Sequence, residues 1–210
     1  MKNNNYLIIG ASGHAGVIID ELTNLDQSIN IELIDEDKNK SQLLGFPVIG
    51  NFEDFKKNYA QQNKKVIVGI GNNKLRSSLF DTLYEIDSVN LVNVISSDSK
   101  ISKNVEIGVG NLIVSGAIIN HSVKVGNNSI INTMASIDHD SFIGSNVHIA
   151  PGVNLAGNVK VGDNVLIGVG ATILPNLKIG SNSIIGGGSV VIKDVSPGST
   201  VIGNPAYEKK

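Results

Sequence analysis

Cysteine and tryptophan are both missing from the sequence. Without cysteine the chain can form no disulfide bond and no thiolate zinc site. A covalent acyl intermediate on a thiol is excluded for the same reason. Any chemistry that the chain performs must therefore use other side chains.

Charge and long apolar runs are also scarce. The 17 Lys and Arg residues nearly balance the 19 Asp and Glu residues, which gives a formal net charge of −2. Because no basic run extends beyond Lys209 and Lys210, we expect neither a nucleic-acid partner nor a membrane-surface partner. No apolar run approaches the length of a membrane span, and we do not expect the polar residues 1–5 to be a signal peptide. We therefore expect a cytoplasmic protein.

The few aromatic residues are unevenly distributed. Seven of the nine Phe and Tyr residues lie before position 94, and residues 95–196 carry 12 charged side chains against 21 in residues 1–94. Such a shift in composition indicates two domains. We place the first at residues 1–94 and the second at residues 95–210.

The second part of the chain contains an aliphatic residue at every sixth position. This repeat runs without exception through 17 positions, from Ile95 to Val191. Four residues after each of them the side chain is Ser, Ala or Val in 15 of the 17 hexads, with Asn111 and Leu177 as the exceptions. A hexapeptide repeat of this kind predicts a parallel β-helix, in which three hexads complete one triangular coil. Residues 18 apart should then stack in ladders, such as Ile119, Ile137 and Leu155.

A set of glycines directly follows interior aliphatic residues of the repeat. We expect the backbone at these positions to turn tightly or to adopt a positive φ angle. The set consists of Gly108, Gly126, Gly144, Gly162, Gly168, Gly180 and Gly186.

A glycine turn dominates the first domain. The predicted strand 6–9 leads into Gly10, Gly13 and Gly16, and a predicted helix follows at residues 17–25. Free amides at the start of a helix stabilise an anion, so the pattern favours phosphate binding. The spacing is G-x-x-G-x-x-G and not the dinucleotide pattern G-x-G-x-x-G, so a plain turn between strand and helix remains an alternative.

Three further strands are predicted in this domain, at residues 31–34, 66–70 and 91–94. The first of them ends in acids, including Asp35 and Glu36, which would meet nucleotide hydroxyls or lie in a solvated loop. Four strands are too few for a full dinucleotide site. A mononucleotide or a nucleotide sugar is the better match.

Three histidines carry the candidate chemistry of the β-helix. His121 and His139 are 18 residues apart and should share a ladder; we interpret His121 as a surface residue without a partner. His139 lies between Asp138 and Asp140, and a carboxylate bound to an imidazole makes it a stronger general base. His148 falls on another face of the same coil. His139 and His148 could meet only if a neighbouring subunit supplied one of them.

The sequence resembles bacterial acetyltransferases of sugar nucleotides. It is most similar to the UDP-4-amino-sugar N-acetyltransferases of diacetylbacillosamine biosynthesis, and then to sialic acid O-acetyltransferases and perosamine N-acetyltransferases. The resemblance spans nearly the whole chain and is carried by residues 10–14 (GASGH), 132–140 (NTMASIDHD), 148–152 (HIAPG), 155–158 (LAGN), 174–176 (LPN) and 186–188 (GGG).

This resemblance implies an architecture and a set of ligands. Members of the family are homotrimers with an α/β, Rossmann-like nucleotide-binding domain and a left-handed parallel β-helix. They use acetyl-CoA as co-substrate and need no metal.

The resemblance also implies roles for individual residues. His139 becomes the general base, and Asp140 stands where the bacillosamine-type members have Glu. Asn132 would line the acceptor site, and residues 203–206 (GNPA) resemble a loop that closes the CoA channel. The acetyl-CoA contacts would be His148, Gly157 as an oxyanion amide, Val169 and Gly187. The diphosphate would be held by Ser12, Gly13 and His14, with Asp35, Glu36 and Gly71 near the nucleoside.

Three functions follow from these observations. The first is acetyl-CoA-dependent N-acetylation of a nucleotide-linked amino sugar, and the second is O-acetylation of a sialic acid or another hydroxyl acceptor. The third is a β-helix that binds a nucleotide sugar without catalysis, against which the retained His139 and Asp140 argue. Because the chain lacks cysteine, direct transfer in a ternary complex is the simplest mechanism for the first two.

Overall fold

The computed structural model describes residues 4–209. Residues 1–3 of the polar start and Lys210 of the basic pair lie outside this range. The chain forms two compact units, the first ending at Ser97 and the second beginning at Asp98. The expected division after residue 94 differs by three residues because β7 (Val94–Ile95), which contains the first aliphatic residue of the repeat, lies against the first helix.

The first unit is a Rossmann-like α/β fold, as predicted. Its sheet contains β1 (Asn5–Ile9), β2 (Asn30–Ile34), β3 (Gln42–Leu43), β4 (Phe46–Gly50), β5 (Lys65–Val68) and β6 (Asn90–Leu91) in the order β3-β4-β2-β1-β5-β6. All pairs are parallel except β3 with β4. The helices are α1 (Gly13–Leu25), α2 (Phe52–Asp54) and α3 (Asn73–Tyr84), and a π-helical segment covers Phe55–Tyr59.

The central strand explains why this sheet forms. Leu7 and Ile8 of β1 are fully buried and Ile9 is 3% exposed, because a parallel strand between two neighbours is covered on both faces. Phe55 and Phe80 pack into the same core from the helical segments. None of the helices in residues 4–209 is long and apolar enough to cross a membrane.

The hairpin of β3 and β4 was not predicted from the sequence. Its two-residue turn consists of Leu44 and Gly45, which have φ angles of 50° and 84°. Such turns usually contain Asn-Gly or Asp-Gly, because Leu rarely adopts a positive φ. The sheet therefore has six strands where we expected four.

The second unit is a left-handed parallel β-helix, which confirms the prediction from the repeat. Each strand pairs in parallel with the strand 18 residues further on, as Ile119 does with Ile137 and Ile137 does with Leu155. The strands form three faces, named A, B and C in the order in which the chain visits them.

Face A contains Leu112–Ile113, Ile130–Ile131, His148–Ile149, Leu166–Ile167, Ile184–Ile185 and Thr200–Gly203. Face B contains Lys100–Ile101, Ile118–Ile119, Ser136–Ile137, Asn154–Leu155, Thr172–Ile173 and Val190–Val191. Face C contains Glu106–Ile107, Lys124–Val125, Phe142–Ile143, Lys160–Val161 and Lys178–Ile179. A last strand, Ala206–Glu208, pairs antiparallel with Thr200–Gly203.

The interior of the β-helix has the composition that the hexads predict. Ile119 and Ile137 are fully buried and Leu155 is 2% exposed. Burial of each such side chain contributes about 1.5 to 3 kcal/mol before chain entropy is subtracted. Polar residues enter the interior only with hydrogen bonds: Asn111, fully buried, donates from Nδ2 to the carbonyl of Gly126 (2.9 Å) and accepts from the N–H of Ser129 (2.7 Å).

The seven glycines that follow interior aliphatic residues have a different role from the one we expected. None of them has a positive φ; that conformation belongs to residues later in the corners, such as Asn146 and Gly152. Their Cα atoms instead approach the backbone of the next coil. A Cβ at Gly126 would lie 2.8 Å from the carbonyl carbon of Gly144, which is well inside van der Waals contact. The glycines are therefore required by close approach between coils.

Candidate active site

The glycine turn of the first unit leaves an open space at the start of α1. Gly10 has a φ of 112°, and α1 begins at Gly13 after the extended N-cap residue Ser12. The Ser12 side chain caps no backbone N–H of the helix. A Cβ at Gly13 would meet no atom within 4 Å, so this residue faces open space. The start of α1 thus offers backbone amides and a hydroxyl to an anion.

Asp35 holds this turn in place. Its carboxylate accepts hydrogen bonds from the N–H of Ala11 (2.7 Å), the N–H of Asp37 (2.9 Å) and Nζ of Lys40 (3.2 Å). Burial alone would raise the pKa of Asp35, but the hydrogen bonds from Asp37, Ala11 and Lys40 bring it below its ordinary value. Asp35 stays ionised at neutral pH and orders the backbone of the turn.

A cavity of about 300 Å³ lies beside the turn. Its walls include the apolar side chains of Ile34, Phe52 and Ile70, and its rim includes Glu36 and Lys40. Glu36 is partly engaged, since its Oε1 accepts the N–H of Phe52 (3.1 Å). Apolar walls with a few polar groups are typical of a site for a planar organic group.

Arg76 fixes the loop that contains Gly71, and the sequence did not predict this role. The side chain is 1% exposed and donates to the carbonyls of Ile70 (3.3 Å) and Gly71 (3.0 Å) and to Oδ1 of Asn73 (3.0 Å). Burial lowers the pKa of Arg76 to about 10, so the guanidinium remains charged. Gly71 in turn lies close to His14, whose Cγ would be 4.0 Å from a Cβ at Gly71.

His139 of the second unit is bound to one carboxylate. Its Nδ1 lies 2.8 Å from Oδ2 of Asp140, and both side chains are about half exposed. A carboxylate can only accept here, so Nδ1 carries the proton and Nε2 presents a lone pair. The hydrogen bond with Asp140, helped by the negative charge of Asp138, raises the pKa of His139 above its ordinary value. These are the properties of a general base.

Asp138 contacts the backbone instead of the imidazole. Its Oδ1 accepts from the N–H of His139 and from Nδ2 of Asn120, each at 2.8 Å. The hydrogen bond from the backbone of His139, followed by that from Asn120, lowers the pKa of Asp138. The two acids that flank His139 in sequence therefore do different things: Asp140 orients the ring, and Asp138 orders the corner.

His139 has neighbours on the same ladder in both adjacent coils. The ring of His121 stacks on it with 5.3 Å between centroids and 11° between planes. His121 is thus not the isolated surface residue that we expected, and its Nδ1 lies 3.3 Å from Oγ of Ser122. In the other adjacent coil, a Cβ at Gly157 would lie 2.8 Å from both Cε1 and Nε2 of His139. Only glycine leaves room for this ring.

The residues expected to contact acetyl-CoA form a separate group, apart from Gly157. Nδ2 of Asn132 lies 3.2 Å from Nε2 of His148, while Oδ1 of Asn132 accepts the N–H of Thr133 (2.8 Å). Because that bond orients the amide, Nε2 of His148 is the acceptor and Nδ1 carries the proton. Val169 is 61% exposed, and Gly187 of the next coil lies against its carbonyl.

The two groups occupy different corners of the triangular coil. His139, Asp140 and Gly157 lie at the BC corner, between faces B and C. Asn132, Val169 and Gly187 lie at the AB corner, and His148 projects from face A. Asn132, which we expected with the acceptor, lies beside His148. Because the BC corner is opposite face A, one chain does not bring His139 and His148 together.

The predicted closing loop is the turn of the C-terminal hairpin. It contains a cis peptide bond between Asn204 and Pro205, and the N–H of Gly203 donates to Oγ of Ser189 (3.1 Å). Within residues 4–209 there is no group of three or more His, Asp or Glu side chains that could hold a metal ion.

Comparisons with known proteins relate these features to a family. The family model described as the PglD N-terminal domain matches residues 5–83, and the model for the bacterial transferase hexapeptide matches residues 140–174 and 158–193. The acetyltransferase domain of PglB from Neisseria gonorrhoeae is 30% identical, with a TM-score of 0.94, and the alignment covers 99% of this chain and 100% of that chain. The chain belongs to the sugar-nucleotide acetyltransferases of the hexapeptide-repeat family. It is an acetyl-CoA-dependent acyltransferase.

Two further structures place the chain among these acetyltransferases. PerB from Caulobacter crescentus, determined with CoA and GDP-perosamine, is 34% identical with a TM-score of 0.92, covering 98% of this chain and 97% of that chain. WeeI from Acinetobacter baumannii is 32% identical with a TM-score of 0.89, covering 97% and 99%. No curated protein sequence matches the chain.

Proposed function

We propose that this acetyltransferase transfers the acetyl group of acetyl-CoA to the amino group of a nucleotide-linked amino sugar. The acceptor is a UDP-linked 4-amino-4,6-dideoxy sugar, and the product serves the synthesis of a surface glycan or glycoprotein. The hydrogen-bonded pair of His139 and Asp140 carries this proposal, because an amine needs a base to remove its proton during attack. The likeness to PerB, whose structure contains CoA and GDP-perosamine, supports a nucleotide-linked acceptor.

The reaction is a direct transfer in a ternary complex. The amine nitrogen attacks the thioester carbonyl, and a C–N bond forms as Nε2 of His139 takes a proton from nitrogen. Asp140 stabilises the imidazolium that results. When the tetrahedral intermediate collapses, the C–S bond breaks and the CoA thiolate leaves, to be protonated in turn.

Gly157 supplies an amide for the oxyanion of that intermediate. Among the hydrogen bonds of residues 4–209, none uses the N–H of Gly157, whereas the N–H of the equivalent residue His139 is bound to Asp138. The amide adjoins the ring of His139, as an oxyanion donor must. Such a donor contributes about 10² to 10³ in rate.

The first unit holds the nucleotide part of the acceptor. Ser12, Gly13 and His14 at the start of α1 bind the diphosphate, which is favoured by the helix dipole and the open space at Gly13. The adjoining cavity receives the nucleoside, with Glu36 at its rim and Gly71 in the loop that Arg76 fixes. Asp35 acts by ordering the turn.

The active protein is a homotrimer with its sites between subunits. The separation of the BC corner from face A supports this arrangement, since His139 and His148 cannot serve one acetyl group within a chain. Acetyl-CoA lies along the AB corner past Val169 and Gly187, and the loop 203–206 closes over it.

An acceptor screen tests the reaction. UDP-, GDP- and CMP-linked sugars, each with a free amine or a free hydroxyl, are incubated with acetyl-CoA, and release of the CoA thiol is measured. We expect thiol release with amino acceptors, most with UDP-linked ones, and little with His139→Ala. Turnover of hydroxyl acceptors alone would assign O-acetylation, and GDP- or CMP-linked acceptors turning over best would contradict the UDP assignment.

Substitution of Gly13 tests the nucleotide site. The valine of Gly13→Val projects into the space at the start of α1 without meeting protein atoms, so the fold should persist. We expect the KM for the acceptor to rise and the KM for acetyl-CoA to stay nearly constant. Asn24→Val, an exposed change near the other end of α1, is the matched control and should alter neither. Equal losses for both substrates in Gly13→Val would contradict the assignment.

A further inference from the structure

His121 lies one coil before His139 and at the same position of its hexad. The two rings are nearly parallel, with 11° between planes and 5.3 Å between centroids. Gly157 occupies the same position one coil after His139, and a Cβ there would lie 2.8 Å from Nε2. The imidazole of His139 is therefore packed between an aromatic ring on one side and a bare backbone on the other.

The two histidines are built alike but have different partners. Ser122 and Asp140 both follow a histidine and both adopt a left-handed conformation, with φ angles of 62° and 61°. Each places a side-chain oxygen beside Nδ1 of its histidine, at 3.3 Å for Ser122 and 2.8 Å for Asp140. Asn104 donates to Oγ of Ser122 (3.2 Å) and holds that hydroxyl in place. A hydroxyl orients His121 without giving it the carboxylate that activates His139.

We propose that His121 is a positioning residue, whose ring forms the wall on which the imidazole of His139 rests with Nε2 held for proton abstraction. The hydrogen bond to Asp140 fixes only one edge of the His139 ring, and about half of that side chain is exposed to solvent. Without the wall the ring can tilt about that bond, away from Gly157. The inference rests on the proposed role of His139 as the base.

Three variants separate stacking from chemistry. His121→Ala removes the wall, whereas His121→Phe keeps a flat ring without nitrogen atoms. We expect His121→Ala to lower kcat by about 10- to 100-fold, since a misplaced base loses rate, while both KM values change little. His121→Phe should restore most of kcat. In the His139→Ala background, His121→Ala should have no further effect, because there is no imidazole left to position.

A spectroscopic measurement tests the geometry without any substrate. In the full-length protein, the ring proton on Cε1 of His139 should show a ring-current shift from His121. That shift should vanish in His121→Ala and persist in His121→Phe. Normal spectra combined with an inactive wild-type enzyme would refute the proposed function and leave the stacked arrangement intact.

The following results would overturn the proposal. An unchanged kcat in His121→Ala would show that the wall is not needed. Equal losses in His121→Ala and His121→Phe would show that the nitrogen atoms of His121 act, and not its ring. A His139 proton shift that does not respond to His121→Ala would show that the rings do not stack in solution.

Discussion

His121 and His139 show how one neighbouring atom decides the chemistry of a side chain. They occupy equivalent positions 18 residues apart, yet one faces a serine hydroxyl and the other a carboxylate. Only the carboxylate stabilises the imidazolium, so only His139 is equipped as a base. Asp138 and Asp140 differ in the same way, because one binds backbone and the other binds the ring.

The first prediction concerns pH. The base must be neutral, so kcat/KM should fall as the pH drops below the pKa of His139. Asp140 raises that pKa, and Asp140→Ala should therefore move the acidic limb of the profile to lower pH. His139→Ala should lower the rate by about 10² to 10⁴ and Asp140→Ala by less. A limb at the same pH in wild type and Asp140→Ala would contradict the pairing.

The second prediction compares two glycines. In Gly157→Ala the new methyl group meets the exposed ring of His139, which can swing aside. We expect a rate loss of about 10²-fold with little change in thermal unfolding. In Gly126→Ala the methyl meets the backbone of the next coil, so unfolding should become easier by about 1 to 3 kcal/mol. If both variants lost stability equally, the special role of Gly157 would be refuted.

A single coil of the β-helix is the element that recurs, and its requirements are set by its neighbours. Interior positions need aliphatic side chains, and a polar residue is accepted there only with full hydrogen bonding. Ser129 illustrates this, since its Oγ donates to the carbonyl of Gly144 and accepts the N–H of Val147, each at 3.0 Å. Asn111 bridges two coils in the same manner.

The third prediction follows from Asn111. Asn111→Ala leaves the N–H of Ser129 and the carbonyl of Gly126 without this buried partner. Each such group costs about 1 to 3 kcal/mol, so urea unfolding should occur at clearly lower denaturant. Asn104→Ala removes an exposed hydrogen bond and should change the free energy of unfolding by no more than about 0.5 kcal/mol. Equal effects would show that burial of Asn111 does not matter.

At the scale of the whole molecule, the site is divided between two corners of the coil. The BC corner holds the proposed base, and the AB corner with face A holds the proposed acetyl-CoA contacts. An assembly that brings the BC corner of one subunit to the AB corner of the next would complete three sites in a cyclic trimer.

The fourth prediction tests this assembly with mixed oligomers. His139→Ala and His148→Ala chains, each nearly inactive alone, are unfolded together in equal amounts and refolded. Every mixed trimer then contains one site with both histidines, so we expect about one quarter of the wild-type sites to recover. Sedimentation should give the mass of three chains. Activity no higher than that of the separate variants would refute a shared site.

The sequence by itself determined the β-helix, its 18-residue ladders, the glycine turn and the pairing of His139 with a neighbouring acid. These features are local or strictly periodic, so burial and turn chemistry make them readable from residue types alone. The tertiary structure decided which acid binds the imidazole, that His121 stacks on it, that Asp35 ties the turn and that Arg76 fixes the Gly71 loop. The hairpin of β3 and β4 also appeared only in the structure, because its turn places Leu44 at a positive φ that no local propensity favours. Each of these depends on side-chain geometry or on contacts between segments distant in sequence, and residue order alone does not specify which contacts form.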